Sequence, residues 1–505
     1  MWIKTGMLFL ATALPLGAQQ PLSAIDWLSK SVQEKQPEAV LTPQRVEPQT
    51  PSEITVTTLD EISKDTVGLL PTAVSGLPRD FWGASSTYTI ADLISQQRTD
   101  SLPELLTLLY RILLAEVDAP EADAARPVLL LARIDKLLDL GALEQAQALI
   151  ERAGPTEADI FRRWFDVSLL TGHEDFACAA MSASPGFAPT MQARVFCLAR
   201  NGDWNAAALT LATGTVLGLI SESEADLLER FLDPSLFENE PDIPAPNPLT
   251  PLVFTMREAI AMPRPSGTLP LAFANIDLKR SAAWRTQLEA AERLSRTQAL
   301  DPHRLINLYT QKRPAATGGV WNRVEAVQAF DVALLAGDLA KIENALPAAY
   351  RAMEQISLEV TFAEYFEPRL SPLQLSGVAS QICFKIALLS SDYESSPKNI
   401  EPGNQKNQFL LGLAKGDVAG LTPPGVLGQA IAAAFLAPPP PSELLDLLTE
   451  HKIGEAVLRA MILMKNEAFA DPGDITAALS TFRAVGLEQE ARRVALQMLL
   501  LERRG

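Results

Sequence analysis

The sequence predicts an all-α protein, a right-handed α-solenoid of stacked antiparallel helix pairs carried behind an extended proline-rich N-terminal arm. Three observations predict it. The 505 residues are 47% hydrophobic but only 6% aromatic, and the apolar side is built largely of Ala and Leu, which favour helix over sheet. A Gly-centred turn recurs at helix-pair spacing. Thirty-seven prolines are gathered into a few stretches that leave long helical blocks between them.

The chain begins with one basic residue, Lys4, an apolar run from Met7 to Leu16 broken by Thr12, and the small residues Gly17 and Ala18. That pattern predicts a secretory signal peptide over 1–18, because the run meets Gln19, Gln20 and Pro21 too early to span a bilayer. An uncleaved anchor is the alternative reading. Export implies the periplasm and an oxidising compartment.

Residues 19–60 are expected to form a short amphipathic helix and a proline-containing tether. Ser23 can cap a segment from Leu22 to Val32 that carries Ile25, Leu28 and Val32 on one face, with Trp27 beside them. Two to three turns are too few for an isolated helix, since nucleation is costly. The segment therefore packs back on its own body, or Ile25, Trp27 and Leu28 dock on another protein. Ile54 to Leu59 alternates like a single extended strand.

Helical repeats are expected over 61–233 and again over 271–505, separated by a proline-rich excursion over 234–270. Leu140-Gly141-Ala142, Thr171-Gly172-His173 and Asn201-Gly202-Asp203 place glycines 31 and 30 residues apart, each with alanine five positions later (Ala146, Ala177, Ala207). Gly337 with Ile342, Gly416-Asp417 and Gly486 with Ala491 repeat the turn, and His451-Lys452-Ile453-Gly454-Glu455-Ala456 is a variant. Glycine can end one helix in a left-handed conformation, Asp or Asn can cap the next, and a small residue one turn in lets the two helices approach. A helix pair leaves an apolar flank that the next pair covers, so this period points to an open stack, with an irregular helical bundle as the alternative.

The combination of an apolar residue, Gly, Asp or Asn, and Ala five residues after the Gly resembles the degenerate tetratricopeptide-like and Sel1-like repeats of bacterial envelope proteins. The resemblance spans roughly Ser101 to Glu229 and, more weakly, Trp321 to Arg504. It implies helix-turn-helix stacking and the binding of a peptide or protein. The scaffold is also similar in kind to the helical portion of periplasmic lytic transglycosylases, although their separate catalytic domain has no counterpart here.

Sixty-one acidic against 43 basic residues give a net charge of −18, which repels phosphate backbones and argues against a nucleic-acid partner. His173, His303 and His451 lie far apart, without cysteine neighbours at ligand spacing, so neither a metal nor a cofactor is expected. Gly318-Gly319 lacks the further glycines of a phosphate cradle and reads as a hinge. Glu364, between Phe362 and the pair Tyr365 and Phe366, is the best candidate for a catalytic carboxyl, although a solvated helix residue explains it as well. Cys178, early in one helix, and Cys197, late in the next, are placed side by side by an antiparallel hairpin and are expected to form a disulfide, leaving Cys383 reduced and buried.

The expected function is thus that of a non-enzymatic scaffold or adaptor, binding an envelope protein or peptide through solenoid surfaces and the N-terminal segment. A glycan-acting hydrolase or lyase with an acidic catalytic residue, and a structural part of a flagellar, pilus or secretion machine, are the alternatives.

Overall fold

The recurring turn divides the chain as its chemistry requires. In a computed structural model, which describes residues 63–120, 126–238, 240–262, 265–279, 281–395, 404–436, 438–464 and 471–501, Gly141, Gly172 and Gly202 have φ values of 75°, 81° and 84°. An L side chain is strained there, so the preceding helix stops. The alanine five residues on is fully buried in each case, as are Ile342 after Gly337 and Ala491 after Gly486. The small residue marks where consecutive helices touch. Asp203 and Asp338 cap the helices that follow them, accepting from the amides of Ala206 and Lys341.

Two turns depart from the expected form. Gly416 ends its helix with φ 77°, but the next helix starts only at Gly425. In the variant turn the left-handed residue is His451 (φ 59°), and Gly454 lies inside the following helix. Gly454 is small for another reason: a Cβ there would sit 2.4 Å from Cε3 of Trp82.

The helices follow in order. The first group is α1 (Thr72–Ser75), α2 (Thr87–Ser95) and α3 (Pro103–Leu114). Next come α4 (Val128–Asp139), α5 (Leu143–Ala153), α6 (Ala158–Thr171), α7 (Glu174–Ala183), α8 (Met191–Arg200), α9 (Trp204–Val216) and α10 (Glu222–Leu232). The proline-rich stretch holds α11 (Pro251–Ala259) and leads into a 3-10 helix, Leu271–Leu278. Beyond it lie α12 (Trp284–Arg296), α13 (Pro302–Thr310), α14 (Val320–Ala336), α15 (Leu339–Glu354), α16 (Glu359–Leu370) and α17 (Gly377–Leu389). The last group is α18 (Gln405–Lys415), α19 (Gly425–Phe435), α20 (Ser442–Thr449), α21 (Ile453–Leu463), α22 (Pro472–Ala484) and α23 (Glu488–Leu500). Among the described residues there is no strand, only an isolated bridge between Leu70 and Ala115.

Neighbouring helices pack in sequence as stacked pairs, among them α8 with α9, α14 with α15, and α21 with α22. The fold is an all-helical stack of repeat-like helix pairs. The proline-rich stretch stays on this stack. α11 lies on α6, and the 3-10 helix wedges against α4, α6 and α12, where Asn275 Nδ2 donates to Gly141 O at 2.9 Å. Farther on, α12, α13 and α14 are pinned by a buried triad. Tyr309 donates its hydroxyl proton to Glu292 at 2.6 Å, and Arg323 closes on the other carboxylate oxygen at 2.6 Å.

The start of the described chain is anchored by one buried cation. Arg133 on α4 donates to the carbonyls of Leu113, Val67, Ala115 and Asp65 at 2.6, 2.7, 3.0 and 3.3 Å, while the Asp65 carboxylate accepts from Leu130 N at 2.7 Å. Burial lowers the Arg133 guanidinium to about 10, against the attraction of Asp65, so it stays charged at neutral pH.

The stack curves until its first helices cover its last. α2 packs on α21, and α3 packs on α23. Trp82, 1% exposed, lies against Gly454, whose amide donates to Phe81 O at 2.7 Å. Gln97 Nε2 reaches Leu458 O at 3.2 Å, and Glu104 N donates to Gln497 Oε1 at 2.9 Å. One continuous apolar core runs from Leu77 to Leu501, so the flanks that an open stack leaves bare at its two ends cover each other here.

Candidate functional site

The stretch from Trp204 to Ser221 contains no ionisable side chain, in a chain of net charge −18. It forms α9 and the turn after it. Apolar residues fall on every side of this helix, a composition expected of a helix enclosed all round. Yet only Ala207, Leu211 and Gly214 of α9 are buried, where it rests on α8 and α10. Leu209 and Val216, seven positions apart and therefore on one face, are 69% and 87% exposed, and Leu217 is 65% exposed. Trp204, Leu219 and Leu236 are also exposed. Physically, α9 is a flank that the next helix pair would cover in a regular stack, but after α10 the chain turns into the proline-rich stretch instead. The result is an uncharged, largely apolar exposed face on α9.

The support beneath α9 is cross-linked. Cys178 on α7 and Cys197 on α8 are joined through their Sγ atoms, with Cα atoms 4.9 Å apart. α7 buries little besides Ala177, Cys178 and Met181, so the bond ties down a helix with a thin core. Cys383 is free and half-buried, lining a cavity of about 350 Å³ with Leu370, Leu373 and Ile386, and burial pushes its thiol up to about 12. At that value it is an inert thiol at neutral pH.

A second concavity, of about 410 Å³, lies where α3, α5, α12, α13, α16 and α23 converge. Its wall carries Glu144, Gln298, Asp301, Arg304, Glu364 and Arg493. Glu144 pairs with Arg304 at 3.2 Å. Gln298, in a left-handed conformation at φ 59°, donates to Pro103 O at 2.7 Å and accepts from Thr107 Oγ1 at 2.9 Å. Glu364 is more than a solvated helix residue. It accepts from Ser391 N at 3.2 Å and from Arg493 at 3.1 Å, so each of its oxygens is already engaged within the chain.

The histidines remain apart. His173 precedes α7 beside Thr171, His303 packs edge-on to Tyr365 at 4.9 Å, and His451 occupies the left-handed turn described above. Among the described residues, no group of three or more His, Cys, Asp or Glu side chains is placed to hold a metal ion, and no helix is long and apolar enough to cross a membrane. Ile25, Trp27 and Leu28 lie outside the described residues, as does the Ile54 to Leu59 segment.

The turn pattern around Gly202 does not reveal the α9 face. The available signal was the lack of charge over Trp204 to Ser221 combined with the lack of a polar side. No protein-family model matches this chain, and neither does any curated protein or solved structure.

Proposed function

We propose that this chain is an exported, non-enzymatic scaffold or adaptor that binds another protein of the cell envelope. The observation that carries the reading is the bare α9 face. Apolar surface with no charge in it is costly to leave in water, and patches of it mark association sites, where a few large apolar anchors dominate the energy. A partner for this face offers an apolar, uncharged surface of its own, since an isolated charge facing Leu209 and Val216 would be desolvated without compensation. The helix-pair stack supports kinship with the tetratricopeptide-like and Sel1-like binding repeats. The N-terminal Ile25, Trp27 and Leu28 supply a second docking element within this proposal, and the apolar start of the chain supports export to the periplasm.

The test is site-specific photo-cross-linking in the native envelope. A photoreactive residue at Val216 is expected to give a discrete adduct with another protein, weakened at least tenfold by Leu209→Glu. The same group at Glu325, exposed on α14, should give none. No adduct at Val216, or an equal adduct at Glu325, overturns the proposal.

A further inference from the structure

Where α3 meets α23, closure of the stack gathers an unbalanced set of charges around two buried carboxylates, Glu104 and Glu490. Glu104 and Arg111 come from α3, Glu490 and Arg493 from α23, and Glu364 from α16, giving three carboxylates for two guanidiniums. Arg493 Nε lies 2.7 Å from Glu104 Oε2, its Nη2 lies 3.1 Å from Glu364 Oε1, and Arg111 Nη2 lies 2.6 Å from Glu490 Oε1. The first and third contacts are close but poorly aligned: neither Glu104 Oε2 nor Arg111 Nη2 makes a hydrogen bond of ordinary geometry. Glu104 is 4% exposed, so its carboxylate gives up water without full replacement.

A cluster with one negative charge in excess, its most buried carboxylate held by a misaligned ion pair, is relieved by taking up a proton. We propose that the junction of α3 and α23 is a proton-sensitive clasp, which holds the two ends of the stack most firmly when this cluster carries one added proton and loosens as that proton leaves. Glu104 is the group that takes it. Burial raises its carboxyl from 4.5 to about 7; Glu490 and Glu364 push in the same direction, while Arg493 and Arg111 oppose.

With the junction open, water reaches Glu104 and its carboxyl returns to the ordinary range, so the closed form binds the proton more tightly. The advantage of the closed form is complete below about pH 4.5, declines as pH rises, and is gone above about 7. Because Arg493 also grips Glu364 on the wall of the 410 Å³ concavity, loosening the clasp alters that wall as well.

Hydrogen exchange on the full chain between pH 5 and pH 8, corrected for the chemical rate, tests the clasp. Protection of α3 and α23 is expected to fall by roughly tenfold or more over this range, the direction a carboxyl raised by burial dictates, while α14 and α15 stay constant. Glu104→Gln, which mimics the protonated side chain, is expected to keep both helices protected at every pH. Glu490→Gln, which restores charge balance without touching Glu104, should move the midpoint of the fall to lower pH. Flat protection in the wild type, an equal fall in α14 and α15, or an unaltered fall in Glu104→Gln overturns the proposal. Should Glu104→Gln not fold, an unmoved midpoint in Glu490→Gln does so.

Discussion

Arg133 shows how a single buried side chain can hold a segment that has no regular structure of its own. The backbone around Val67 and Ala115 is neither helix nor sheet, so its carbonyls depend on the guanidinium of α4 for their partners. Removing one side of such a network leaves several acceptors buried and unpaired, which costs more than the bond itself contributes. Arg133→Met, similar in reach but without donors, is expected to destabilise the fold by about 3 kcal/mol, read from the midpoint of urea unfolding. A change below about 0.5 kcal/mol, the usual effect of a surface substitution, would show that water serves those carbonyls equally well.

Among the elements, α7 and α9 are thinly held, each burying only three residues. One of the three on α7 is Cys178 itself, so the bond between Cys178 and Cys197 takes a structural share that larger cores supply elsewhere. Closing a loop with a sequence separation of 19 restricts the unfolded chain by an amount on the order of 3 kcal/mol. Replacing both cysteines by serine is therefore expected to lower stability by about 2–3 kcal/mol, with faster hydrogen exchange concentrated in α7 and α8. Neither thiol should react with an alkylating agent before reduction, while Cys383 should react only slowly because its thiol is raised by burial. Recovery of both Cys178 and Cys197 alkylated without reductant would contradict this.

For the whole molecule, the close contact of Trp82 with Gly454 is a tight point at which the two ends of the stack meet. Any side chain at Gly454 meets the indole ring, and the backbone on either side is held by the hydrogen bond to Phe81 O. Gly454→Val is expected to separate α2 from α21 and to raise the radius of gyration in small-angle scattering, with the helical content by circular dichroism almost unchanged. Ala at the same site should act in the same direction more weakly. An unchanged scattering curve for Gly454→Val would mean that the remaining contacts between the ends, the junction of α3 and α23 among them, suffice to hold the stack closed.

The helical class, most of the glycine turns and the pairing of successive helices are legible in the sequence alone, the turns at Gly416 and Gly454 excepted. These are local properties: a left-handed residue ends a helix wherever it stands, and the alanine five positions after Gly141, Gly172 or Gly202 is buried by the very next helix. Even the proximity of Cys178 to Cys197 was legible, because it needs only one hairpin. Tertiary structure decided what depends on residues far apart in the chain. Nothing near Glu104 in sequence announces Arg493 or Glu490, and nothing around Gly454 shows that its missing side chain makes room for Trp82. Periodicity likewise reports which face of a helix is apolar, and not whether another helix arrives to cover it. α9 is left bare because the chain turns away after α10, while the two ends of the stack are covered because its curvature brings them together.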